Sequence, residues 1–290
     1  MVIISYIVHK KMIYREHKPA PALSGFIECY WSAKADSPPF QEREALIPDG
    51  TIELMFNFGD PYHQCLDQDA KLIKGSHVIG IRRRSLFIAQ SSRQDFFSVR
   101  FKTGGTFPFF GIPAHLYAQG FHEVDSLLGA EYKELEERLY ESKSNSQRIA
   151  LLDRFFLDKL ANAQSSTSVG SRFLQAVDHF PDYTIKALAS EMGHGYKRVE
   201  RHVKASTGLT PRQYLSIRRF NRAVKLMYAG SAGSLTHLAL EAGYFDQAHF
   251  NRDFKKMTSQ APRDFLKSQF KIVEVIQPAL AARLSKTYNF

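Results

Sequence analysis

Cysteine is nearly absent: Cys29 and Cys65 are the only two in 290 residues. Two thiols cannot make the disulfide framework of a secreted scaffold, so a reducing cytoplasm is the expected compartment. No apolar run approaches the ~18 residues of a membrane span, which predicts a soluble chain without a membrane partner. Residues 1–8 are apolar but too short for a signal-peptide core, and Lys10 and Lys11 lie on the wrong side of them. There is no glycine-rich phosphate loop and no nucleophile elbow. His63 and His77 flank Cys65 loosely, at spacings unlike a zinc knuckle or the paired histidines of a metal-binding cupin. Arg82-Arg83-Arg84 reads as a solvated basic turn. These absences predict no catalytic residue, no metal and no cofactor.

Acidic residues are scarce in one region only. Residues 169–271 carry seventeen Lys and Arg against eight Asp and Glu, whereas residues 1–168 carry twenty of each. Nearly all of the formal charge of +10 therefore lies in the last third of the chain. That is the footprint of a surface that binds phosphate.

The basic region repeats itself. Thr184 to Gly193 aligns with Ser234 to Gly243 at an offset of fifty, and one inserted residue later Val199, Arg201, Val203 and Lys204 align with Phe250, Arg252, Phe254 and Lys255. In each copy the apolar residues fall at i, i+3, i+4 and i+7: Ile185, Leu188, Ala189 and Met192, then Leu235, Leu238, Ala239 and Ala242. Thr184 and Ser234 stand at cap positions, and Gly193 and Gly243 follow where the chain must turn. Each copy thus reads as a helix-turn-helix, whose second helix enters a major groove. Between the copies, Thr210-Pro211 opens a helix running to Tyr228 along Ile217, Phe220, Val224 and Met227. Its length, about 27 Å, suits two recognition helices in consecutive grooves ~34 Å apart.

Gly243-Tyr-Phe-Asp-Gln-Ala-His-Phe-Asn-Arg-Asp-Phe-Lys255 resembles the second helix-turn-helix of the AraC/XylS transcription regulators. Gly208-Leu-Thr-Pro-Arg-Gln-Tyr-Leu215 and Arg219-Phe-Asn-Arg-Ala223 are similar to their connecting helix. The resemblance covers roughly the last 100 residues. It implies sequence-specific regulation of transcription, with double-stranded DNA as partner and RNA polymerase, a small-molecule effector and a second copy of the chain as candidate partners. The implied DNA contacts are Lys197, Glu200, Arg201 and Lys204 in the first copy, and Gln247, Ala248, His249, Asn251, Arg252 and Lys255 in the second. Three positions depart from the family pattern: Gly195 replaces a capping Ser, Phe245 a small polar residue and Ser259 a helix-ending Gly. Arg201 and Arg252 are open to three roles, as base readers, phosphate clamps or members of ion pairs. Gln247 can read adenine or cap its helix, Asp246 reads as that cap, and His249 has no ligand spacing around it.

The first ~120 residues read as strands. Residues 26–31, 52–58, 71–73, 77–81, 86–89 and the strictly alternating 97–102 are β-rich runs broken by Gly, Pro and Asp. From Asp125 to Leu160 the pattern turns helical. The fold class expected is α+β: a β-rich barrel or sandwich with a helical extension, then an all-α domain of two helix-turn-helix motifs joined by a long helix. The boundaries expected are 1–161 (helical over 123–161), a polar linker at 162–170, the DNA-binding domain at 171–271 and a tail at 272–290. Pro48-Asp49-Gly50, Glu53-Leu54, Asn57-Phe58-Gly59 and Phe101-Lys-Thr-Gly-Gly105 resemble motifs of an uncharacterised domain found before AraC-type units. The resemblance implies sensing or dimerisation. Glu53, Asn57, Arg100 and Thr103, with the Gly104-Gly105 turn, are the candidate ligand-binding residues; the alternative is that they are turn and core residues of a dimerisation module. Two other functions compete: a DNA-binding unit fused to an enzyme, such as a repair protein with a reactive cysteine, and an architectural protein that reads shape alone.

Overall fold

The computed structural model describes residues 4–8, 12–36, 43–66, 69–90, 92–163, 173–174, 177, 184–230, 234–268 and 270. Most of the expected linker, 164–170, and the expected tail, 272–290, lie outside the described residues.

The front domain is two antiparallel sheets. Strands β1 (Ile4–Val8), β2 (Met12–His17), β3 (Ile27–Ala35), β5 (Ile52–Asn57), β8 (His77–Ile79), β10 (Gln94–Phe101) and β11 (Phe121–Glu123) form the larger, in the order β1-β2-β3-β10-β5-β8-β11. Strands β4 (Glu44–Leu46), β6 (Tyr62–Cys65), β7 (Ala70–Ile73) and β9 (Leu86–Ala89) form the smaller, in the order β4-β9-β6-β7. Within the apolar start of the sequence, Ile4–Val8 supplies an edge strand, paired Tyr6 to Tyr14.

The alternation in β10 has an unexpected outcome. A half-buried strand sends its polar residues to water, yet β10 is buried on both faces. Phe97, Val99 and Phe101 join a core roofed by helix α4 (Asn145–Asn162), while Phe96 joins Trp31, Met55 and Ile88 between the sheets. Period two then places Ser98 and Arg100 on the inter-sheet side as well. Helix α4 is fixed by Asp153, whose Oδ1 accepts from Tyr30 Oη at 2.8 Å and from the Ala20 amide at 2.9 Å. Before it come α1 (Phe107–Phe110), α2 (Val124–Leu128) and α3 (Ala130–Glu141).

The basic region folds into the two expected units. Helices α5 (Ile185–Glu191) and α6 (Tyr196–Thr207) make the first, α7 (Pro211–Tyr228) connects, and α8 (Leu235–Glu241), α9 (Gln247–Thr258) and α10 (Pro262–Lys267) follow. The duplication extends to individual hydrogen bonds. Thr184 and Ser234 cap their helices by accepting from Ala187 and His237 amides, each at 3.1 Å. Gly193 and Gly243 take positive φ of 70° and 92°. Thr207 and Thr258 each donate to the carbonyl four residues back, at 2.7 and 2.9 Å, and each accept from the amide two residues ahead. Thr210 and Gln213 close a capping box on α7.

The two domains are docked, and one cluster of buried apolar residues runs through both. Among the described residues, the front domain meets the helix-turn-helix domain at several points. Asn221 Nδ2 on α7 donates to the Asp49 carbonyl at 3.1 Å. The turn at Ala114–Ala118 packs on the end of α6, where a Cβ on Gly208 would sit 2.7 Å from Ala118 Cβ. The Ser85 amide donates to the Met257 carbonyl near the end of α9, at 2.7 Å.

Candidate nucleic-acid interface

With the domains docked, the outer faces of α6 and α9 remain open. Lys197, Arg201 and Lys204 are exposed on α6, and Ala248, Arg252 and Lys255 on α9; Glu200, Gln247, His249 and Asn251 are half-exposed. The opposite faces are sealed by Val199 and Val203, and by Phe250 and Phe254, all fully buried. Amphipathic spacing thus presents the residues expected to touch DNA together on each helix.

Charge and hydrogen bonding refine the picture. Neither Arg201 nor Arg252 is held in an ion pair among the described residues, which leaves both guanidinium groups for an outside partner. Burial, and then the neighbouring Arg201, Arg198 and His194, push the His202 ring below its ordinary value, so α6 carries a positive local field. Asp246 Oδ1 accepts from the His249 amide at 2.6 Å and caps α9, while Gly195, its counterpart on α6, makes no side-chain cap. Gln247 is engaged elsewhere: its Oε1 accepts from Thr236 Oγ1 at 2.6 Å, which ties α9 to α8. Asn251 Oδ1 is buried without a partner. Phe245, noted in sequence only as a departure, is 85% exposed in the turn before α9, beside the reading face.

Asp253 holds this second unit to the connecting helix. Its Oδ2 accepts from Ser216 Oγ at 2.8 Å, and the Arg219 guanidinium lies 5.7 Å from the Tyr244 ring centre. The second unit is thereby fixed on the first half of α7.

Of the four candidate ligand residues of the front domain, Glu53 and Arg100 are brought together, and Asn57 and Thr103 lie elsewhere. A narrow inter-sheet cavity, about 660 Å³ counting the space open at its mouth, is lined by Trp31, Asp49, Glu53, Arg82 and Gln94 among apolar neighbours. Glu53 is on its wall. Arg100 lies behind it, buried, with Nε 2.8 Å from Glu53 Oε1 and a second guanidinium nitrogen 3.5 Å from Glu16. Asn57 is spent on a turn, accepting from the Gly59 amide at 3.0 Å and donating to the Asp60 carbonyl. Thr103 donates to the Gly50 carbonyl at 2.9 Å, beside α7. Gly104, at φ +76°, and Gly105, where a Cβ would collide with the Phe26 carbonyl, explain the paired glycines as a tight turn.

Arg82 differs from the solvated turn expected of its triplet. It is 4% exposed, with a guanidinium nitrogen 2.9 Å from Asp49 Oδ2. A buried guanidinium needs a paired carboxylate, and Asp49 lies 33 positions away in sequence. Cys29 is buried and its thiol is pushed up by burial, the reverse of an activated nucleophile. Among the described residues, no three His, Cys, Asp or Glu side chains are grouped to hold a metal, and no helix is long and apolar enough to cross a membrane.

Comparison with known proteins divides the chain in the same way. Residues 188–268 match the family described as helix-turn-helix domain, and residues 15–122 match a domain of unknown function, DUF6597. The HTH-type transcriptional activator RhaS of Escherichia coli, in strains O1:K1 and K12 alike, is 32% identical over 108 residues. That alignment takes in 37% of this chain and 38% of RhaS, so the chain matches well under half the length of its curated relatives. Two solved ToxT chains from Vibrio cholerae overlay on 78% of this chain and on 97% and 93% of their own, with TM-scores of 0.45 and 0.43 and identities of 10% and 14%; overlays that loose carry no argument. The chain thus carries a helix-turn-helix domain similar to that of the RhaS activator, with a DUF6597 domain in front.

Proposed function

We propose that the protein is a sequence-specific DNA-binding regulator of transcription, acting in the cytoplasm, that binds a duplex through α6 and α9 and is no enzyme. The observation that carries this reading is the open pair of basic recognition faces, duplicated along one rigid connecting helix while the front domain grips the other side. Arg201 and Arg252 reach base edges; Lys197, Lys204 and Lys255 meet phosphates; Glu200, Gln247, Ala248, His249 and Asn251 line the grooves between them.

The front domain takes a small effector in the inter-sheet cavity. Trp31 Nε1 and Gln94 Oε1 are buried there without partners, a donor and an acceptor in a largely apolar space. Leaving such groups unpaired is costly, and a compact, largely apolar molecule with one acceptor and one donor satisfies both. The two cations around them are already paired, Arg82 with Asp49 and Arg100 with Glu53 and Glu16, which disfavours an anionic ligand.

Selection of duplexes from a random pool by the full chain tests the regulator reading. The expected result is enrichment of two half-sites centred about 10 base pairs apart, held more than ~1,000-fold tighter than unselected DNA. Tight binding with no such preference would instead mark a protein that reads shape.

A further inference from the structure

We propose that the Asp49-Gly50 turn couples the inter-sheet cavity to the connecting helix, so that whatever moves one wall of the cavity resets the helix carrying both recognition units. The inference rests on the DNA-binding reading for its consequence, though not for its geometry.

Asp49 has three attachments in three directions. Its Oδ2 takes the Arg82 guanidinium at 2.9 Å on the cavity wall, and its Oδ1 accepts from the Thr51 amide at 3.0 Å, closing the turn. Its carbonyl accepts from Asn221 Nδ2 of α7 at 3.1 Å. Gly50, at φ +82°, lets the chain pass so close to α7 that a Cβ there would lie 3.8 Å from Ile217 Cγ2 and 3.9 Å from Tyr214 Cε2. Thr103 pins the same turn from the front-domain side. The Pro-Asp-Gly motif and the Gly-Gly motif therefore meet at the domain interface, and only the Asp49 carboxylate faces the cavity.

The cavity's shape makes this turn the part that gives. Its free space holds a few waters at most, so an organic molecule must displace lining. Most of that lining belongs to strands hydrogen-bonded into the two sheets; Asp49, Arg82 and Gln90 lie outside strands. Strand walls are stiff because every shift breaks ladder bonds, whereas the turn lies outside both ladders and is tied by side chains, Arg82 and Thr103 on the front-domain side and Asn221 on α7. Coupling between sites is reciprocal, so DNA bound across α6 and α9 must be felt in the cavity.

The only tryptophan of the chain, Trp31, lies in that cavity and reports on it directly. Emission of Trp31 is measured in the full chain with and without a selected duplex, and its quenching by acrylamide is measured without DNA. In the wild-type protein the duplex shifts Trp31 emission. In Asn221→Ala the shift is lost, and quenching without DNA rises about twofold as the turn loosens. Thr103→Val releases the turn without touching α7 and raises quenching likewise, so the test does not hang on one variant folding. Unchanged quenching in both folded variants overturns the coupling, as does unchanged Trp31 emission on a duplex that the protein visibly retards in a gel. A chain that retards no specific duplex overturns the regulator reading instead, and the DNA-free quenching still decides the coupling.

Discussion

Gly208 ends the first recognition helix against Ala118 of the front domain, and no other residue type fits there: φ is +74° and a Cβ would fall 2.7 Å from Ala118 Cβ. Gly193, in the turn before that helix, has nearly the same φ, +70°, but nothing within 4 Å of a would-be Cβ. The pair separates backbone strain from domain docking. Gly193→Ala is expected to cost about 1–2 kcal/mol, the left-handed penalty alone. Gly208→Ala should add about 1–3 kcal/mol of overpacking and should also expose the segment between the domains to limited proteolysis. Equal melting temperatures and equal proteolysis for the two variants would mean that the docking contact is absent in solution.

Ser259 occupies the place in the second unit that Gly208 holds in the first, and adopts φ +62° with a Cβ. Ser259→Gly should therefore raise stability by about 1 kcal/mol, because the left-handed strain outweighs glycine's extra entropy in the unfolded chain. Chemical denaturation with an unchanged m-value is the check, and a lower midpoint would contradict it.

The duplicated units were legible because their signals are local. Thr184, Gly193 and the apolar spacing of α5 act within one turn of helix, and the same holds fifty residues on. What could not be read is non-local. Asp49 and Asn221 are 172 positions apart, and neither residue type announces an interface. The alternation of β10 correctly gave a strand with two faces, but period two says nothing about which face meets water. Here α4 covers one and the second sheet the other, so Ser98 and Arg100 had to find partners inside. Nor does spacing tell that, of Glu53, Asn57, Arg100 and Thr103, only Glu53 is on the wall of the inter-sheet cavity.

Inside the barrel, Glu53 and Arg100 hold each other at 2.8 Å while both are 4% exposed. Arg100→Met leaves the carboxylate buried without its cation and is expected to cost about 3–5 kcal/mol, whereas adding Glu53→Leu should return more than half of that loss. The double-mutant cycle reads the coupling directly. Two single variants that each unfold at the wild-type midpoint would show that water reaches the pair.

Acid should act on the front domain through His77. Burial pushes its ring down to about 4, from an ordinary 6.5. The neutral ring suits its place: Nδ1 lies 3.0 Å from the Gly75 carbonyl and Nε2 lies 2.7 Å from Tyr62 Oη, so one nitrogen donates and the other accepts. The unfolded chain takes up a proton on this residue below pH 6.5 while the fold resists, so stability is full above that pH and falls as the pH drops toward 4. The loss attributable to His77 is about 3 kcal/mol. His77→Gln should start less stable but flatten the acid limb between those pH values. Identical slopes for the two proteins would assign the acid sensitivity elsewhere.

The recognition helices divide their labour by side chain. Arg201 and Arg252 are equivalent in the repeat, exposed, and opposite Val199/Val203 and Phe250/Phe254. If both read guanine, Arg→Ala at either costs about 1–3 kcal/mol and relaxes preference at one base position, the two positions lying about 10 base pairs apart because α7 sets the units one DNA turn from each other. Lys204→Ala and Lys255→Ala, near the helix ends, should instead weaken all sequences alike and reduce the salt slope by about one. Comparing the base-preference profile of each variant with that of the parent decides the matter. Uniform weakening with unchanged preferences in both Arg variants would leave these groups gripping phosphate. Specificity would then fall to Lys197, Asn251 and the exposed Phe245 ring, whose apolar face suits a thymine methyl, while Gln247 would have to leave Thr236 before it could reach a base.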